Sequence, residues 1–143
     1  MRRIGPLAAA VLGAVALAAV PAQAAPTALK AAMTAEEEVP APGPAGAKGT
    51  GDFQADPDAG TLCYKIAMEG AGEPTMGHIH EGPAGTAGPV KIDLKMKENG
   101  LEGCAPADGM ILKAVIADPG NFYANIHTAT YPAGAIRGQL TAG

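Results

Sequence analysis

Apolar and polar positions alternate with a period of two over short stretches of this chain, and turn-forming residues separate the stretches. In Thr61–Met68, for instance, Leu62, Tyr64, Ile66 and Met68 fall on one face, and Thr61, Cys63 and Lys65 on the other. That is the pattern of a half-buried strand. The same reading predicts strands over Ala28–Met33, Ala47–Ala55, Met110–Ile116, Phe122–Thr128 and Ala135–Thr141. A further strand carries His78-Ile79-His80, and another sets Val90, Ile92 and Leu94 against Lys91, Asp93 and Lys95. Asp56-Pro57-Asp58-Ala59-Gly60, Asp118-Pro119-Gly120-Asn121 and Tyr131-Pro132-Ala133-Gly134 supply turns. No stretch reads convincingly as a helix. About eight short strands predict an all-β fold, a Greek-key β-sandwich.

Composition sharpens this picture at the ends of the chain. Arg2 and Arg3 precede an alanine-rich apolar run over residues 6–20, and Ala22-Gln23-Ala24 reads as a cleavage site. Residues 1–24 therefore read as a signal peptide. The alternative, a retained anchor, is disfavoured because the run is short, interrupted by Gly13 and ended by Pro21. The mature domain is then 25–143, a secreted or periplasmic protein with no membrane span. Losing Arg2 and Arg3 takes the formal charge from −4 to about −6, which argues against nucleic acid and anionic membranes as partners. Cys63 and Cys104 read as a disulfide in an oxidising compartment. It would pin a loop over residues 95–109 to the sheet and contribute roughly 3–4 kcal/mol by chain entropy. A copper–thiolate pair is the alternative.

The chemistry concentrates in Met76-Gly-His-Ile-His-Glu-Gly-Pro83. On a strand, His78 and His80 share one face while Ile79 takes the other. The remaining histidine, His127, sits in the similar setting Asn125-Ile126-His127-Thr128. If the two strands pair, three imidazoles meet, a donor set suited to copper or zinc with a position left open. The alternative is structural, with the three rings bonding across strands or to loop backbone. Met76, two residues before His78, offers a thioether to the same face; core or edge filling is the favoured reading. Glu81 either orients an imidazole or is simply exposed.

Glu36, Glu37 and Glu38 read as a solvated acidic run rather than a cation site. Gly82 to Pro89 leads into a strand, so it is a turn or lid near the histidines rather than a phosphate cradle. Arg137 alternates with Ile136, faces away from the core and is expected to pair with an acidic neighbour. No Ser/His/Asp arrangement, activated cysteine or spaced carboxylate pair supports hydrolysis.

Gly77-His-Ile-His-Glu-Gly-Pro-Ala-Gly, Gly88-Pro-Val, Tyr123-Ala-Asn-Ile-His-Thr and Tyr131-Pro-Ala-Gly-Ala-Ile-Arg-Gly-Gln-Leu140 together resemble the CHRD (chordin) domain, from about Leu29 to Leu140. The sequence departs from it at Ala135, where the family usually has Glu. The resemblance implies an extracellular module. A weaker similarity, at the level of fold, is to copper/zinc superoxide dismutase, also a Greek-key sandwich with an immunoglobulin-like layering. His78, His80 and His127 would match its copper ligands, but the bridging histidine and the zinc cluster have no counterpart.

Two functional readings follow. One is an exported copper-binding protein for storage, delivery or detoxification, with His78, His80 and His127 as ligands and zinc as the alternative metal. The other is a metal-free extracellular module whose loops bind protein or glycan. A redox enzyme is disfavoured. A homodimer would complete a site that three histidines leave open.

Overall fold

The computed structural model describes residue 19 and residues 22–143. The expected signal peptide, residues 1–24, lies almost wholly outside the described residues. Eight strands follow one another: β1 (Thr27–Thr34), β2 (Lys48–Asp56), β3 (Thr61–Glu69), β4 (Pro74–Glu81), β5 (Val90–Asp93), β6 (Glu102–Pro106), β7 (Phe122–Thr128) and β8 (Ile136–Ala142). Two short helices interrupt them, α1 (Met96–Asn99) before β6 and α2 (Gly109–Ala117) after it. The all-β expectation holds.

All neighbouring strands pair antiparallel, in the order β5-β4-β7-β8-β1-β2-β3-β6. Strands β1 to β3 form a meander, and the chain then crosses to the far end of the sheet, where β4 lies between β5 and β7. The edge strands β5 and β6 approach each other, so the sheet nearly closes on itself. Its inner face carries the core: Leu29, Met33, Phe53, Leu62, Ile79, Ile126, Ile136 and Leu140 are all buried. Removing such side chains from water drives the closure, at about 1.5–3 kcal/mol for each large aliphatic or phenylalanine group.

Met110–Ile116, expected as a strand, is the body of α2. The Asp108 side chain accepts hydrogen bonds from the backbone N–H groups of Met110 and Ile111, at 2.8 and 3.2 Å, and so caps the helix. Leu112 and Val115, three residues apart, face the core while Met110 stays exposed, the helical rather than the strand period. A second correction concerns residues 95–109, expected as a loop. They contain α1 and β6, and Cys104 lies on β6 directly opposite Cys63 of β3. The two are disulfide-bonded, 41 residues apart in sequence.

Strand β7 is buried at every position. Phe122, Ala124 and Ile126 face the core. Tyr123, Asn125 and His127 occupy the opposite face, and three connecting segments cover it. The Gly82–Pro89 loop is tied down from β8, where Arg137 donates to the carbonyls of Pro83 and Thr86 and Gln139 to that of Gly82. The segment between β1 and β2 reaches over through Glu38, which accepts from the Asn125 side-chain amide. The β7–β8 turn contributes the Pro132 carbonyl. A polar row on the outside of the sheet is thereby roofed.

Candidate metal centre

Three registered rows organise this outer face. His80 lies opposite Tyr123, which lies opposite Gln139. His78 lies opposite Asn125, and Asn125 opposite Arg137. Met76 lies opposite His127. The pairing of β4 with β7 thus brings together three histidines that the sequence separates by up to 49 residues. Their candidate ligand atoms all lie within 4.8 Å of one another, the one such cluster of His, Cys, Asp or Glu side chains among the described residues.

Backbone carbonyls orient the rings. His80 Nδ1 is 2.9 Å from the Gly88 carbonyl oxygen, and His127 Nδ1 is 2.9 Å from that of Pro132. A carbonyl only accepts, so both Nδ1 atoms carry the hydrogen, and in the neutral rings both Nε2 atoms present lone pairs. His127 Nε2 accepts from His78 Nδ1 at 3.0 Å. His80 Nε2 is buried and has no hydrogen-bond partner. Leaving such an acceptor unmatched costs about 1–3 kcal/mol.

Gly88 makes the ring position attainable, because a Cβ there would overlap the Glu81 carbonyl. Its N–H donates to the Tyr123 hydroxyl at 3.0 Å. The Tyr123 ring stacks on His80 with centroids 4.8 Å apart and planes 8° from parallel. From β8 the Arg137 guanidinium carbon sits 3.4 Å from the Tyr123 ring centroid.

All three imidazoles are held below their ordinary pKa of 6.5. Burial is the largest cause for each. The charges of His127 and His80 depress His78 further. The carbonyl bonds partly oppose burial at His80 and His127. Near neutral pH the cluster is therefore uncharged, the state in which imidazole binds a metal. His80 Nε2 and His127 Nε2 already present lone pairs, and His78 can join them once its proton shifts to Nε2 and the Nδ1 bond to His127 gives way to the ion. The residues fit a metal ion.

Other expected groups fall elsewhere. Glu81 pairs with Lys91 at 2.7 Å rather than with an imidazole. Met76 does lie beside the cluster, opposite His127, and at 37 % exposed it is outside the core, which leaves edge filling as the structural alternative. Glu36 and Glu37 are exposed as expected, but Glu38 is 5 % exposed. Burial raises its pKa from 4.5 to about 7, against the opposing influence of Arg137 and the Asn125 bond. Arg137, expected to form an ion pair, has Glu38 near enough to feel its charge but directs its hydrogen bonds to two carbonyls and to the Gln139 side chain, and is 1 % exposed. Tyr123 and Gln139 were legible only as outward positions of alternating strands. Gly88 and Pro132 act through carbonyls, which leave no side-chain signal.

The CHRD-domain model matches residues 29–140. No curated protein and no solved structure matches the chain. The family match takes in β4, β7 and β8 and the loops that roof them, and by it the chain belongs to the CHRD-domain family.

Proposed function

We propose that this is an exported copper-binding protein, serving storage, delivery or detoxification, with His78, His80 and His127 as ligands. The observation that carries the reading is His80 Nε2, a buried lone pair without a partner beside two further imidazoles. Neutral nitrogen donors in a compartment that permits a disulfide favour copper, with zinc as the alternative. Export itself rests on the basic, apolar and small-residue succession of residues 1–24 and accords with the Cys63–Cys104 bond. A metal-free extracellular module is the competing reading. It draws support from the hydrogen bonds that let the same three rings clasp the Gly82–Pro89 loop and the β7–β8 turn.

Titration of the mature, disulfide-bonded protein with Cu(I), Cu(II) and Zn(II), beside a His78→Ala/His80→Ala/His127→Ala variant, separates them. Stoichiometric metal that disappears in a still-folded variant is expected. Equal uptake by both proteins would leave the clasp as the role of the histidines.

A further inference from the structure

The side chains around the histidine cluster differ in whether their donor atoms are already engaged. Asp93, in register with His78 on β5, is the nearest carboxylate by strand position. Both of its oxygens are taken by Lys95, one by the backbone N–H and one by the ammonium group, each at 2.8 Å. Those bonds hold its pKa below the ordinary 3.8. Glu81 is held by Lys91, and Glu38 is committed to Asn125. Asn125, in register with His78, gives its amide to Glu38.

Met76 is different. It alternates with His78 and His80 on the outward face of β4 and lies directly opposite His127. Residues so placed have Cβ atoms about 4.5–5.5 Å apart, and an unbranched methionine spans that distance. Met33 and Met96 are buried in the core, whereas Met76 keeps 37 % of its surface exposed. Met76 is thus not locked into the core as Met33 and Met96 are, and its three rotatable bonds let the sulfur turn toward the imidazoles.

We propose that Met76 supplies a fourth, thioether ligand and makes the site selective for monovalent copper. This rests on the three-histidine reading and extends it. Three neutral imidazoles and a thioether contribute no negative charge. Such a soft, uncharged set suits Cu(I), whereas Zn(II) and Cu(II) gain from a carboxylate, and the two nearby ones, Asp93 and Glu81, are paired with Lys95 and Lys91. The cargo is then reduced copper, and the binding step needs no electron transfer at the protein.

The test is competition for Cu(I) against a chromogenic Cu(I) chelator under reductant too weak to open the disulfide, with Zn(II) affinity measured in parallel. Wild type, Met76→Leu and the triple-histidine variant are compared, each checked for folding by circular dichroism. Met76→Leu should weaken Cu(I) binding about ten- to a hundredfold, at least the scale seen when a group that merely orients a ligand is removed. Its Zn(II) affinity should be unchanged, and a sulfur scatterer seen by X-ray absorption in Cu(I)-loaded wild type should vanish. Unchanged Cu(I) affinity in Met76→Leu, with the triple variant inactive, overturns the thioether role and leaves the three-histidine site standing. Absence of Cu(I) binding by wild type overturns both.

Discussion

His80 is constrained at two points of its ring, by the Gly88 carbonyl at Nδ1 and by the face of Tyr123. Its remaining nitrogen is buried and unmatched. The same burial that prepares the histidines for a metal makes the metal-free fold sensitive to acid. Because the folded-state pKa values lie below 6.5, the unfolded chain takes up protons first as pH falls through about 6.5, and folding free energy is lost below that point. Glu38 acts in the opposite sense. Its folded pKa of about 7 lies above the ordinary 4.5, so its contribution is present below 4.5 and lost as pH rises through about 7. Denaturant midpoints at a series of pH values should fall from pH 6.5 toward pH 5 in the metal-free wild type. The triple-alanine variant, which keeps the opposing Glu38 contribution, should hold or rise over that range, and an equally steep decline in it would place the acid sensitivity elsewhere.

Among the elements, those with clean alternation were legible, because one buried face fixes which residues point inward. That holds for β1, β2, β3, β7 and β8, whose expected and observed limits differ by at most a residue or so. The run Met110–Ile116 was not, since a short apolar segment carries no decisive period. Its usable signal was Asp108 just ahead of the run, which caps α2. Replacing Asp108 by Ala should cost about 0.5–2 kcal/mol in a chemical denaturation series. Metal affinity should be unaffected, because α2 packs mainly against β2 and the Pro119–Asn121 turn and supplies none of the three candidate ligands. Strand β6 had no readable pattern either. It is five residues long, ends in Pro106 and buries Ala105 alone, and its place is set by pairing with β3 across the disulfide.

At the scale of the whole molecule, the candidate centre is a product of topology. The spacing of His78 and His80 was visible in sequence because it is local to one strand. The arrival of His127 required the chain to cross the sheet after β3 and lay β4 beside β7. The burial of Glu38 and Arg137 was equally hidden, since Glu38 docks on Asn125 of the distant β7 and Arg137 lies under the distant Gly82–Pro89 loop. Those loops cover what would otherwise be a solvent-facing strand surface, with Tyr123 stacked on His80 and flanked by Arg137.

X-ray absorption spectroscopy of the copper-loaded mature protein tests the central claim most directly. The account predicts outer-shell scattering from three imidazoles around one copper, lost together with stoichiometric loading when His78, His80 and His127 are replaced. A copper shell without multiple imidazole scattering, or one unchanged by those replacements, would contradict it.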